Sequence, residues 1–546
     1  MEQDAVDLVG LARIAMRERG LEPEFPPDVL AQVARLSGPA VDGALADLRH
    51  LAWCSIDNDD SRDLDQLSVA EGTPTGTRVR VAIADVDAFV PNGSPVDQHA
   101  GLNTTSVYTP MHVFPMLPER LSTDLTSLNP DADRIAVVLA FDVDREGAVS
   151  AGSVERAMVR NQARLSYDTV AAWLESRGPA PPAVALRDGM AGQVRLQDEA
   201  ATWLRTRRQR NGALDFQGSE ARAVVADGHV VGLKKEEKNR AQALIEDFMI
   251  AVNGVSARFL EERNVPSIRR VVRTPKRWDR LQVIARDVGE RLPDEPDPAA
   301  LSTFLARRRA ADPDGYGVLS LAVLKLLGRG EYVLTRPGDT DAGHFGLAVH
   351  EYVHSTAPNR RYPDLITQRL LKAAVDGAAL PYTDEALDAL ARHCTHQEDA
   401  ADKVERQMRK AATALVLSTR VGEEFEGIIT GASSAATWVR TFDPPAEGRI
   451  VRNTAGLDVG EVSSTSSRWR GTGRRELAAV GRSRTARGAP PLTVDLKVDG
   501  YIRHLRHSYT RYRSARSRIS RFSTMRPARP SACACSIARP ISSPLT

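Results

Sequence analysis

The stretch SIDNDDSRDLDQL, residues 55–67, places five aspartates (Asp57, Asp59, Asp60, Asp63 and Asp65) within nine positions, and this restricts the fold more than any other feature. Carboxylates held so close repel one another, so the folded chain must either solvate them or set cations among them. A solvated loop is the simplest arrangement. A calcium loop starting at Asp57 fails on its residues: its sixth position is Arg62, where a glycine must turn the chain, and its twelfth is Ser68, where a bidentate glutamate is needed. A D-x-D nucleophile at Asp63 and Asp65 needs a hydrophobic strand before it, and DNDDSR is not one. A hard-cation site remains. Asp63 and Asp65, two apart in an extended chain, share a face, and Asp57 can fold back across the intervening turn to join them. Three oxygen ligands with water completing the shell suit Mg2+, with Mn2+ as the alternative ion, and such sites hold phosphates. Phosphoryl chemistry is the resulting expectation.

A chain of 546 residues exceeds what one ordinary core fills, so several domains, or one large domain with appendages, are expected. Its 42% hydrophobic and 26% charged residues are those of a water-soluble globular protein. No stretch approaches the roughly 18 apolar residues of a membrane span, and the opening MEQDAVDLVG is acidic where a signal peptide is basic. The expected location is therefore cytoplasmic, with no membrane partner. Cys54, Cys394, Cys533 and Cys535 are too few and too scattered for a disulfide framework or structural zinc. The net charge of +2 hides an asymmetry: residues 462–546 hold 17 Arg and one Lys against three acids, so the rest of the chain carries −13. An acidic body binds a polyanion only through a locally basic channel or a metal.

Residues 1–45 show helical periodicity, with paired prolines in PPDVLAQVARL where a second helix would begin, and read as a short helical N-terminal segment. Next come strands: RVRVAIADVDAFV alternates and then turns apolar, and RIAVVLAFDVD ends in the turn residues REG. Helical segments dominate from about 165 to 410. Residues 46–415 thus read as one large α+β domain, a mixed sheet surrounded by helices. Strand patterning resumes over 421–462, as in a small β-barrel, and fades after GLDVGEV, leaving the barrel incomplete. Residues 463–546 form an Arg- and Ser-rich tail expected to be disordered. Its abrupt change of composition is what a shift of reading frame near codon 462 would produce.

Several segments, in order, resemble the catalytic block of the ribonuclease II / ribonuclease R (RNB) family. That family's signature is I-D, five residues, then D-x-D-D, and SIDNDDSRDLDQ matches it at Asp57, Asp63 and Asp65. SVYTPMHVFPMLPERLSTDLTSLNPDADR is similar to its SVY-x-P, PMLPE-x-LS and SLNP-x-x-DR segments, and HFGLAVHEYVHSTAPNRRYPDLITQRLL to its HYGLA and Y-x-HFTSP-I-RRY-x-DL-x-x-HR. The resemblance spans roughly residues 46–460. It implies a 3′-to-5′ exoribonuclease that threads single-stranded RNA into a channel and releases nucleoside 5′-monophosphates by metal-assisted hydrolysis. It also implies Asp57, Asp63 and Asp65 as metal ligands, and Asp63, Asp65 and Arg360 as the catalytic residues. Arg360 and Arg361, just ahead of a helix start at Tyr362-Pro363, would grip phosphate. Tyr167 would stack on bases near the 3′ end, and Glu246 would contact the terminal sugar, where RNA is told from DNA. The basic RTRRQRN at 205–211 and RRVVRTPKRWDR around Trp278 are candidates for the RNA path. No obligate protein partner is implied.

Three departures from the family pattern stand out. The fourth carboxylate of D-x-D-D is Gln66, a weaker Mg2+ ligand. The cold-shock domains that open the long form of the family are not in view, so the chain is expected to be a short form. The closing OB-type barrel is expected to lack its last strands. The rival reading is a catalytically weakened RNA-binding relative.

Overall fold

The computed structural model describes residues 7–452, apart from 39–44, 151, 217–219, 227–228, 237, 341–342, 419, 421–422, 433–435 and 444–445, and beyond 452 only 462–466, 477–478 and 493–496. Its centre is a mixed seven-stranded sheet built from β1 (Ala46–Asp47), β2 (Cys54–Asp57), β3 (Gln66–Thr73), β4 (Gly76–Ala84), β5 (Asp133–Asp144), β6 (Ser153–Arg160) and β7 (Ala163–Ser166), in the order β1-β6-β5-β4-β3-β2-β7. The two edge strands run parallel to their neighbours, and every inner pairing is antiparallel. In β4 the pattern reads as its sequence suggests: Val79 and Val81 are buried between Arg78 and Arg80, and then Ala82, Ile83 and Ala84 are all buried as both faces of the sheet become covered. Gly76 opens β4 because a β-carbon there would lie 2.1 Å from the Val143 carbonyl of β5.

Helices cover the sheet. Those that matter for the site are α1 (Leu8–Arg17), α2 (Tyr167–Leu174), α3 (Met190–Arg210), α4 (Arg240–Glu262), α5 (Tyr362–Asp376) and α6 (Asp384–Ser418). Asn239 and Gln242 form a capping box at the start of α4, and its apolar stripe, Leu244, Phe248, Val252, Val255 and Phe259, is buried in the main core. In a second cluster Leu8, Leu11 and Met16 of α1 pack against Val404 and Met408 of α6. The helical N-terminal segment expected from periodicity is present as α1 and Pro27–Arg35, with Pro27 in its first turn.

Helix α5 is keyed to the end of β4 by polar groups. Gln368 donates to the Ala84 carbonyl at 2.8 Å and accepts from the Asp87 N–H at 3.1 Å. The Lys372 ammonium sits 2.9 Å from Asp85 and 2.7 Å from Asp87, and Arg369 lies 2.8 Å from both Asp87 and Asp97. Buried charges as well paired as these fix one orientation of the helix, because each would be costly if left alone.

Toward the C-terminus lies a second, six-stranded sheet of β8 (Glu424–Ala432), β9 (Thr437–Thr441), β10 (Glu447–Arg452), β11 (Val462–Ser466), β12 (Leu477–Ala478) and β13 (Thr493–Leu496). Its order is β10-β9-β8-β11-β13-β12, with β10 also pairing β13. Strand backbone therefore continues past Val462, where alternation was expected to end. The open edges of β8 and β10 take up the later segments through main-chain hydrogen bonds, which need no alternation. The remainder of the expected tail, 463–546, lies outside the described residues. Cys54 and Cys394 are buried free thiols. Among the described residues no helix is long and apolar enough to cross a membrane.

Candidate active site

The aspartate loop leaves β2 at Asp57 and re-enters the sheet at Gln66, the first residue of β3. Leu64, 2% exposed, pins it to the core. Its N–H donates to the Ser127 hydroxyl at 3.0 Å, its carbonyl accepts from the Leu128 N–H at 3.0 Å, and the Ser127 hydroxyl donates to the Arg62 carbonyl at 2.9 Å. Leu64 is flanked by the partly exposed Asp63 and by Asp65. Asp65 is itself buried, and its carbonyl accepts from the Ala84 N–H at 3.0 Å. Ala84 is also the strand end to which α5 is keyed.

At the head of α5 stands Arg360. Its Nε lies 3.5 Å from Asp65 Oδ2, and its side chain is 43% exposed. The preceding residue, Asn359, donates its backbone N–H to Asp65 Oδ1 at 3.3 Å. Its carboxamide oxygen accepts the Thr126 hydroxyl at 2.6 Å, and its side chain, like its N–H, acts to lower the proton affinity of Asp65. Burial pushes the Asp65 carboxyl up to about 7; Arg360 pulls the other way and the charge of Asp63 adds to the rise. Asp63 is also raised, first by burial and further by Asp57, with Arg360 opposing. Two carboxyl groups of raised proton affinity thus lie beside one arginine.

Asp57 is the third expected ligand. Its carboxylate accepts from the Asn58 N–H at 2.7 Å and the Ser61 hydroxyl at 2.8 Å, which ties it to its own turn. It acts electrostatically on Asp63. Among the described residues no group of three or more His, Cys, Asp and Glu side chains is gathered closely enough to hold a metal ion. Asp63 and Asp65 fit a hard cation as a pair, since their raised proton affinity is what an adjacent positive charge would lower. Gln66 is partly exposed and pairs with Ile83 in the ladder.

The other expected site residues divide. β7 runs parallel to β2 with Ser166 in register with Asp57, so Tyr167, which follows, is brought close to both Asp57 and Arg360; their charges, after burial itself, are what act on its hydroxyl, and the net shift is upward. Glu246 instead forms an ion pair with Lys238. Arg361 turns away from Asp65: its Nη2 donates to Asp364 Oδ1 at 2.8 Å and to the Thr356 hydroxyl at 3.3 Å. Arginines of both basic stretches are ion-paired. Arg205 and Arg208 bind Asp247, whose side chain is 1% exposed, and Arg269, Arg270 and Arg273 pair with Glu261, Glu398 and Glu331. Trp278 is buried, donates its indole N–H to the Pro293 carbonyl at 2.9 Å and packs edge-on against Phe345, so its ring belongs to a core.

Sequence reasoning missed Tyr108 and Asn359. Tyr108 lies within electrostatic reach of Arg360, Asp63 and Asp65, and its N–H is held by Glu405 at 2.8 Å. It sits in SVYTP, a segment noted only as part of a series. Asn359 stands where the family pattern has an apolar residue, a departure visible in NRRY itself.

A mixed sheet covered by helices, with an acidic loop facing an arginine at a helix head, defines the class, and comparison with known proteins gives the family. The RNB domain family matches residues 45–377, and the chain belongs to that family. It is 31% identical over 425 residues to ribonuclease R 1 of Lactococcus lactis, covering 75% of this chain and 51% of the relative. It is 30% identical over 461 residues to ribonuclease R of Escherichia coli, covering 80% and 55%. The chain thus spans about half the length of these curated relatives. Among solved structures, Mycoplasma genitalium RNase R in complex with ribose-methylated single-stranded RNA superposes with a TM-score of 0.74 over 90% of this chain and 75% of that one, at 24% identity, a likeness of fold.

Proposed function

We propose that the protein is a 3′-to-5′ exoribonuclease that hydrolyses single-stranded RNA to nucleoside 5′-monophosphates, with its reactive centre at Asp63, Asp65 and Arg360. The observation that carries this reading is the placement of a half-exposed guanidinium 3.5 Å from a buried carboxylate of raised proton affinity, in a chain of the RNB family. Asp63 and Asp65 would hold a divalent cation, Mg2+ or Mn2+, with Asp57 as the third candidate ligand. When bound, such an ion offsets phosphate charge and activates water.

The chain's own groups set the rest. Arg360, exposed on one side and anchored electrostatically on the other, meets the negative charge that grows on a phosphate under attack. Burial of Asp65 keeps bulk water off that carboxylate and strengthens its charge interactions. Tyr167 and Tyr108 flank the group as surfaces on which bases can stack without regard to sequence. Glu246 is the candidate contact for the terminal ribose, after release from Lys238. Residues 421–462 would contribute a partial OB-type RNA-binding barrel.

The test is to incubate the protein with 5′-labelled single-stranded RNA, and with the matching DNA, in Mg2+ or EDTA, alongside Asp65→Asn. Stepwise shortening of RNA alone from its 3′ end, dependent on Mg2+ and lost in the variant, is expected. RNA left intact in both Mg2+ and Mn2+ would overturn the reading in favour of a binding protein.

A further inference from the structure

The adjacent arginines of Asn359-Arg360-Arg361 carry the same charge and face different partners. Arg360 reaches Asp65. Arg361 reaches Asp364, a wholly buried carboxylate in the first turn of α5. Asp364 Oδ1 accepts not only from Arg361 but also from the backbone N–H groups of Thr356 and Ala357, each at 2.8 Å. One oxygen thus ties both ends of the turn 356–361 to the helix that follows it. Within that turn the N–H groups of Arg360 and Arg361 donate to the Ala357 carbonyl at 3.2 and 3.0 Å. The Arg360 carbonyl accepts from the Ser106 N–H at 3.0 Å and the Thr105 hydroxyl at 3.3 Å. The backbone on either side of the Arg360 side chain is therefore fixed, and only the side chain is left to move.

We infer that Arg361 is a positioning residue: its buried ion pair with Asp364 holds the turn 356–361 in the shape that presents the Arg360 guanidinium and the Asn359 N–H to Asp65. This rests on the reading of Arg360 as the phosphate-facing arginine. A carboxylate as deeply buried as Asp364 is strongly unfavourable without its cation. If Arg361 is lost, the turn relaxes, and a displacement of about 1 Å at a reacting group costs on the order of 100-fold in rate. The competing possibility is that Arg361 is a second phosphate contact. The two differ in a quantity that packing alone does not move: each phosphate contact on a single strand contributes about −0.7 to the slope of log K against log salt.

Binding of labelled single-stranded RNA is measured over a salt series in EDTA, and single-turnover and steady-state cleavage in Mg2+, for wild type, Arg360→Ala, Arg361→Met and Asp364→Asn. Arg360→Ala is expected to reduce the salt slope by about 0.7. Arg361→Met and Asp364→Asn are expected to keep the wild-type slope and KM and to lose about 100-fold in kcat. A slope reduced by about 0.7 in Arg361→Met, with full kcat in Asp364→Asn, overturns the inference. Should Arg361→Met fail to fold, Asp364→Asn decides alone, because it leaves the guanidinium in place: lost kcat at unchanged slope supports the inference and full kcat overturns it. Should wild type fail to shorten RNA, the functional reading falls, while the slopes in EDTA still decide whether Arg361 touches phosphate.

Discussion

Arg208 and Arg360 both project from helix ends in a chain whose body is acidic, yet they are used in opposite ways. Arg208, with a side chain 17% exposed, closes with Arg205 on the buried Asp247, so three charges become one fastening between α3 and α4. Arg360 is 43% exposed and meets Asp65 only at 3.5 Å, with a backbone already held by Ser106 and Thr105. The first arrangement spends its charge internally. The second leaves one side of a cation open beside a carboxylate that is itself buried, the asymmetry expected where a further anion is to bind. Along the sequence the two arginines look alike; what separates them is the depth and occupancy of the acid each one meets.

That contrast can be broken at several points. The largest effect is expected for Asp247→Ala, which leaves Arg205 and Arg208 facing each other without their acid. Loss of one partner of a buried pair should cost about 3–5 kcal/mol, seen as a lower denaturant midpoint, with RNA shortening by the folded fraction retained. If Asp247→Ala instead abolished shortening at unchanged stability, the α3 arginines would belong to the RNA path after all. Tyr167→Ala should act the other way, weakening single-stranded RNA binding by about 1–3 kcal/mol while the unfolding midpoint moves little. The smallest effect concerns the histidines beside the internal arginines. Burial, then Arg270, lowers His344 to about 4, and His354 is likewise well below its usual value. Below pH 6.5 the unfolded chain binds protons that the folded chain refuses, so stability is full above that pH and falls as pH drops toward 4. About 1 kcal/mol should be gone by roughly pH 5.5, and His344→Gln should flatten the decline; an unchanged pH profile in that variant would contradict it.

Much of the fold could be read directly. The alternating RVRVAIA became part of β4, which ends before DVDAFV, the apolar stripe of α4 is buried, and the prolines before Asp28 open a helix. Leu64, the one apolar residue of the aspartate loop, is buried as its type demands. Other features were not legible, for physical reasons. That Asp57 would be drawn into its own turn depends on where Ser61 places its hydroxyl, which periodicity does not encode. The meeting of Asp65 with Arg360 joins positions almost 300 residues apart, and only the ordered family motifs hinted at it. Arg360 and Arg361 could not be told apart from RRY, because their roles are set by Asp364 one turn later and by the sheet end under Asp65. Trp278 looked like an aromatic among basic residues, although the apolar spacing of Trp278, Leu281 and Ala285 marks the buried face of a helix.

The most direct test of the central claim, that Arg360 is the arginine presented to substrate while the ion-paired arginines of the basic stretches serve the fold, is the single-turnover rate of 3′ shortening of single-stranded RNA in Mg2+ for Arg360→Ala beside Arg273→Met. Arg273 comes from the stretch around Trp278 and is paired with Glu331 on the surface. The account predicts a loss of about 100-fold or more for Arg360→Ala and a change within about twofold for Arg273→Met. An Arg360→Ala variant that keeps the wild-type rate, or an Arg273→Met variant that loses as much, would contradict it.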